Sequence, residues 1–230
     1  MRQIKVELQD WMGDDRAVSE AAWTSSLDYQ KKENRSEQDV ERVVKLLADS
    51  KHSVPFESIV LRFWIKMPIA IDRQYMTHRL QSASGMSGRY RTMPDEWLEF
   101  SSDVYEIYSK VHQNEAEIVQ DKYNEICELA NKFYQNESKT MKSAEKDGLI
   151  TNKEYKRIRE FLRGVLPQHN MTERVSIINL RSFANFYRLR FKPDAQPEIQ
   201  QIAKLMLEQI KTNNVAPLAI QWLEENNWNI

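Results

Sequence analysis

Cysteine is almost absent from this chain: Cys127 is the single one in 230 residues. An intrachain disulfide framework is therefore excluded, and a reducing compartment is the natural setting. Net charge is also nearly absent, at −1. That removes any global pull toward nucleic acid or an anionic membrane, so an anion site has to be a local cluster of basic groups. No N-terminal apolar signal region is seen, and no apolar run is long enough to span a bilayer. Only five glycines and seven prolines punctuate the chain, which favours regular elements, many of them helical. What is present is 41% apolar and 29% charged residues, the balance of a soluble globular protein with a sizeable core. The expectation is a soluble, cytoplasmic protein with no membrane or nucleic-acid partner.

Periodicity orders the elements. IKVELQDW (4–11) alternates as a strand, MGDD turns, and DRAVSEAAW is a short helix capped by Asp14 or Asp15. SSLDYQKKENRSEQD reads as loop, and DVERVVKLLADS as a helix. FESIVLRFWIK (56–66) alternates as a strand, with Ile59, Leu61, Phe63 and Ile65 on one face. Pro68 opens a predicted helix through IAIDRQYMTHRLQS, which aligns Gln74, Thr77, His78 and Gln81 on one side. Residues 101–145 read as one or two amphipathic helices, and a further helix runs from Asn152 to about Gly164. MTERVSIINL is a strand, and NLRSFANFYRLR a helix capped by Asn179. PEIQQIAKLMLEQIKTN and PLAIQWLEEN close the chain as helices. No repeat or linker divides it. The expected fold is α+β: one helix-rich domain over 1–230 around a small antiparallel sheet.

Two of the five glycines sit in one run, THRLQSASGMSGRY (77–90). Its helical half carries His78 and Arg79. Its other half places Gly85, Met86, Ser87, Gly88 and Arg89 where backbone N–H groups, hydroxyls and a bidentate guanidinium can meet an anion. It is neither a Walker loop nor a dinucleotide fingerprint. On the residues alone, a nucleotide-phosphate site and a surface turn with solvated arginines both stay open. Arg163 in REFLRGVLP is an anion clamp, a helix C-terminal charge or the i,i+3 partner of Glu160. Arg181 and Asn185 share a helix face. Arg190, nine residues beyond Arg181, falls about half a turn out of phase. Either the helix ends before Arg190, or Arg190 serves a site completed by another subunit. His52 precedes a strand as a packing or surface residue, Cys127 lies at packing spacing, and no Cys/His pattern suggests a metal.

Taken in order, these pieces resemble the flavin-dependent thymidylate synthases. THRLQSASGMSGRY is similar to the family hallmark of Arg-His-Arg, a serine and a small stretch, then Ser-x-Arg-Tyr. VELQDWMGDD, KHSVPFESIVLRFWIKMPIAIDRQYM, LRGVLPQHNMTERVSIINLRSFANFYRLR and AQPEI match on either side, leaving only the region around 100 to 150 outside. The resemblance implies a homotetramer whose active sites are shared between subunits. It implies dTMP made from dUMP with methylenetetrahydrofolate as one-carbon donor and FAD reduced by NADPH. By that resemblance Gln74, Gly85, Met86, Ser87, Gly88, Arg89 and Arg163 hold dUMP, with Arg190 on the uracil ring as the catalytic residue. His52, Thr77, His78, Arg79, Asn179, Arg181 and Asn185 face FAD. Three positions depart from the family pattern. Thr77 stands for its first hallmark arginine, Gly85 for an acidic residue and Ser58 for a histidine. A hydroxymethylase on the same fold, and a non-catalytic nucleotide- or RNA-binding protein, are the competing expectations.

Overall fold

A computed structural model describes residues 3–25, 35–112 and 115–229. It is helix-rich around a small antiparallel sheet. The strands β1 (Lys5–Met12), β2 (Val60–Pro68), β3 (Gln81–Gly85) and β4 (Met171–Asn179) lie in the order β1-β2-β4-β3. The helices are α1 (Asp15–Trp23), α2 (Glu37–Asp49), α3 (Ile69–Tyr75), α4 (Ser102–His112), α5 (Ala116–Lys146), α6 (Asn152–Leu162), α7 (Leu180–Arg190), α8 (Pro197–Thr212) and α9 (Pro217–Glu225). Among the described residues no helix is long and apolar enough to cross a membrane.

The chain groups into two compact units. One comprises Gln3, Lys66–Asp72 and Gly85–Glu173; the other comprises Ile4–Ile65, Arg73–Ser84 and Arg174 onward. The second holds nearly all of the sheet. Leu61, Phe63 and Ile65 on β2 are fully buried, as are Phe183 and Phe186 on α7 and Ile199, Ile202 and Met206 on α8. Alternation on β2 and 3.6-residue spacing on the helices put those side chains on inward faces. The Leu180 N–H donates to the Ile59 carbonyl at 2.9 Å, tying the start of α7 to the residue just ahead of β2. In the first unit α5 packs on α4 and α6, and Met93, Tyr134, Leu162 and Leu166 form its apolar centre.

Side-chain caps fix the starts of α1, α2, α6 and α7. Asp14 accepts from Ala17 N, Ser36 and Asp39 form a reciprocal capping box, Thr151 and Glu154 form another, and Asn179 accepts from Ser182 N. The structure departs from the sequence reading at three places. The polar stretch expected to be loop contains residues 26–34, which lie outside the described residues, but its end at Glu37 is already helical because Ser36 caps it. A 3₁₀ turn, Val54–Ser58, takes the first residues of the expected strand, since Pro55 fixes its first turn. The helix expected to run past Gln81 stops at Tyr75. Thr77 Oγ1 turns back to the Gln74 carbonyl at 2.8 Å, and Gln81 Nε2 donates to the carbonyls of Tyr75 (3.2 Å) and His78 (2.9 Å). These side chains satisfy the helix end, and Gln81–Gly85 then pairs as a strand beside β4.

Gly13 turns β1 into α1 at φ +89, where a Cβ would sit 2.4 Å from the Ser58 carbonyl oxygen. Gly13→Ala is expected to cost at least about 2 kcal/mol, because left-handed strain and a backbone clash add. Urea unfolding reads this directly; an unchanged midpoint would contradict it.

Candidate active site

In the second unit, residues 77–80 just after α3, the strand β4 and one face of α7 line a cleft of about 380 Å³. Its polar lining is Thr77, His78, Arg79, Ser182, Asn185 and Arg190. Leu80, Ile178 and Leu189 supply an apolar wall. Ser182, Asn185 and Leu189 recur at i, i+3 and i+7, so one face of α7 presents them together.

The strongest contact in this cleft joins Arg190 to His78. Arg190 Nε donates to His78 Nε2 at 2.8 Å, and Arg190 Nη2 reaches Thr77 Oγ1 at 3.4 Å. His78 stacks edge-on against Phe186 (centroids 4.9 Å, 89°), which also meets Tyr75 edge-on (5.2 Å, 79°). Burial first, and the neighbouring Arg190 charge second, push the His78 pKa down from 6.5 to about 4. The imidazole is therefore neutral at pH 7, with Nε2 the acceptor of the Arg190 hydrogen bond. The unfolded chain binds this proton at a higher pH than the folded one. Stability from His78 is thus complete above pH 6.5 and falls away toward pH 4.

Beneath His78 runs a hydrogen-bonded set. Ser176 Oγ donates to Gln81 Oε1 at 2.6 Å, which leaves Ser176 to accept from the Tyr75 hydroxyl at 3.0 Å. Gln74 points its amide oxygen into a buried position with no hydrogen-bond partner among the described residues.

Other expected flavin-side residues stand outside the cleft lining. Asn179 spends its side-chain oxygen on the α7 cap. Arg181 pairs with Glu57 at 2.5 Å on the 3₁₀ turn. His52 is exposed, and its N–H donates to the Leu47 carbonyl at 2.9 Å. The helix does continue through Arg190. The half-turn offset therefore holds: Arg190 enters the cleft and Arg181 does not.

The small-residue loop belongs to the first unit. Met86 N donates to the Glu173 carbonyl at 2.8 Å, and the Met86 side chain packs on Met93, Tyr134, Leu162 and Leu166. Ser87 turns the chain, its carbonyl accepting from the N–H groups of Tyr90 and Arg91, both at 3.0 Å. Gly88 is buried, and a Cβ there would lie 3.2 Å from both Arg163 Cδ and Met93 Sδ. Glycine thus permits the approach of the loop to Arg163. Glu160 does not pair with Arg163 as its spacing suggested. It accepts from Arg89 Nε at 2.8 Å, because the loop brings that guanidinium over α6. Arg89 and Arg163 are both exposed. Gly85 ends β3 rather than sitting in a loop.

Sequence reasoning missed Ser182, whose spacing to Asn185 could have revealed it, and Phe186. It also missed Arg159, one turn before Arg163. Arg159 is 6% exposed on the face of Tyr155 and Leu162, and its Nε and Nη2 have no partner among the described residues. A larger cleft of about 520 Å³ in the first unit, with Asp95, Glu99, Glu128 and Lys132 on its walls, contains none of the expected site residues. Among the described residues no group of three or more histidines, cysteines or carboxylates is placed to hold a metal. Cys127 is buried and forms no disulfide.

Comparison with known proteins identifies the family of the chain. Residues 7–218 match the family model described as thymidylate synthase complementing protein. A flavin-dependent thymidylate synthase of Thermus thermophilus is 30% identical over 221 residues, covering 96% of this chain and 76% of that protein. The enzyme of the same name from Pseudothermotoga lettingae is 32% identical over 208 residues, covering 90% of this chain and 85% of that protein. In three dimensions, PolB of Streptomyces cacaoi, a UMP/dUMP methylase solved with 5-Br dUMP, superposes with a TM-score of 0.75 at 22% identity. That likeness covers 98% of this chain and 97% of that one, and at such identity it speaks to the fold. A match over nearly the whole chain, together with relatives at this identity, establishes that the chain belongs to the flavin-dependent thymidylate synthase family.

Proposed function

We propose that this chain is an FAD-dependent thymidylate synthase, with residues 1–230 serving as one domain. It converts dUMP to dTMP, takes the one-carbon unit from methylenetetrahydrofolate and draws reducing equivalents from NADPH. The observation that carries this reading is the match of the family model described as thymidylate synthase complementing protein over residues 7–218 of this chain.

The cleft fits a flavin. Leu80, Ile178 and Leu189 offer an apolar wall to a planar ring, and Asn185 and Arg79 supply polar and cationic groups at its rim. His52, Thr77, His78, Asn179 and Arg181 complete the proposed FAD set. FAD, when bound, supplies the hydride chemistry; the protein supplies binding, orientation and charge. Arg89 and Arg163 offset the dUMP phosphate charge. Arg89 is held by Glu160, so a phosphate dianion competes with one carboxylate for that guanidinium. Ser87 and Gly88 bring backbone and hydroxyl donors, Gly85 and Met86 shape the loop, and Gln74 offers its buried amide oxygen to the nucleotide. Arg190 faces the uracil, where a fixed guanidinium stabilises the negative charge that develops on the polarised base. We also propose the homotetramer with shared sites. An exposed apolar stripe along α5, with Ile118, Ile126, Leu129 and Phe133 on one face, supports self-assembly.

Purified protein is expected to show flavin absorbance that dUMP perturbs. It is expected to release tritium from C5-labelled dUMP when given methylenetetrahydrofolate and NADPH. Product mass separates a methyl group from a hydroxymethyl group, which carries one more oxygen. Absence of both flavin and tritium release, with FAD added, would defeat the reading.

A further inference from the structure

We infer that Thr77 and His78 are positioning residues for Arg190, gripping one edge of its guanidinium through two acceptors so that the Nη1 end is presented to the cleft. The inference rests on the reading that Arg190 acts on the nucleotide base. Nε and Nη2 form one edge of the planar guanidinium fork. Nε donates to His78 Nε2 at 2.8 Å and Nη2 to Thr77 Oγ1 at 3.4 Å.

Both acceptors are prepared by local structure. The Thr77 hydroxyl proton is committed to the Gln74 carbonyl at 2.8 Å, so its lone pairs are left for Arg190. His78 Nε2 accepts only in the neutral ring with the proton on Nδ1. Phe186 fixes the ring edge-on, and Gln81, held by Ser176, fixes the backbone by donating to the His78 carbonyl. A threonine followed by a histidine thus offers two acceptors where the helix has just ended. A cation at position 77 would supply none. Arginine is long and flexible, and a grip established before substrate arrives removes an ordering cost from the reaction.

A protonated His78 would be a donor and a like charge, so the grip works only with the ring neutral. The charged groups lining the cleft are Arg79 and Arg190, both cations, and the Arg190 charge opposes protonation of His78.

The test uses the full chain with ¹⁵N-labelled histidine. His78 is expected as the Nδ1–H tautomer, titrating near 4, and Arg190→Gln is expected to move that midpoint upward. An Nε2–H tautomer, an ordinary histidine midpoint or no response to Arg190→Gln would overturn the inference. Turnover at saturating FAD supplies the second readout. His78→Phe keeps a ring on Phe186 and is expected to lose about tenfold in kcat, with the dUMP KM changed by less than about threefold. His78→Gln restores an acceptor and is expected to recover at least about threefold over His78→Phe. Equal kcat in the two variants refutes the positioning role. If the wild-type chain turns over no dUMP, the functional reading fails, while the histidine titration still decides whether the grip exists.

Discussion

Arg190→Ala is expected to lower kcat by roughly 10²–10³-fold while leaving the fold and the bound flavin in place. The size follows from what a single preorganised donor contributes when charge develops in a partly desolvated cleft. The selectivity follows from where Arg190 sits. It is the last residue of α7 and half-buried, with hydrogen bonds only to Thr77 and His78 among the described residues. Truncation therefore opens no core cavity and strands no carboxylate. Its loss from the last helical turn costs about 1 kcal/mol, too little to unfold the chain. Arg190→Lys keeps the charge but loses the planar fork, so its kcat should fall between those of wild type and alanine. Steady-state kinetics with flavin occupancy read from absorbance separate these effects. Wild-type turnover in Arg190→Ala would remove Arg190 from the chemistry.

How much of this was legible in the sequence depends on the range of the interaction that decides each element. The start of α7 was legible because Asn179 carries its own cap three residues upstream of Ser182. The strand β2 was legible because strict alternation leaves Leu61, Phe63 and Ile65 one place to go. The end of α3 was not. Gln74, Thr77, His78 and Gln81 follow helical spacing, but Thr77 and Gln81 use their polar groups to close the helix rather than to continue it. Gln81–Gly85 is then drawn into a strand by β4, which lies far along the chain. The same limit hid the Arg89–Glu160 pair. Local spacing offered Arg163 as one possible partner for Glu160, whereas the loop delivers Arg89 from a distance that no periodicity reports. Arg159 was hidden for another reason: its residue type argues for the surface, and only the packing of Tyr155 and Leu162 beside it shows that it is buried.

Phe186→Ala is expected to destabilise the protein by about 3–5 kcal/mol, the range for emptying a fully buried phenylalanine site. Phe186 has no exposed surface and lies on α7 among Phe183, Ala184 and Tyr187, all buried. It also receives two ring edges, from Tyr75 and His78. Deleting it removes apolar burial and both aromatic contacts, and the neighbouring backbone, tied to Ile59 through Leu180, cannot collapse fully into the gap. Phe186→Leu separates the two roles of the ring. Leucine refills most of the volume, so urea unfolding should show less than half the loss seen with alanine. Neither variant leaves an aromatic face for His78, so both should free the imidazole to rotate away from Arg190. In Phe186→Leu, kcat should therefore fall more than stability does, and the ¹⁵N signals of His78 should report a changed tautomer balance. A leucine variant that unfolds as readily as alanine would mean that shape, and not volume, governs this part of the core. A leucine variant with wild-type kcat and an unmoved His78 would mean that the Phe186 ring only fills space and that Gln81, which holds the His78 carbonyl, suffices to keep His78 on Arg190.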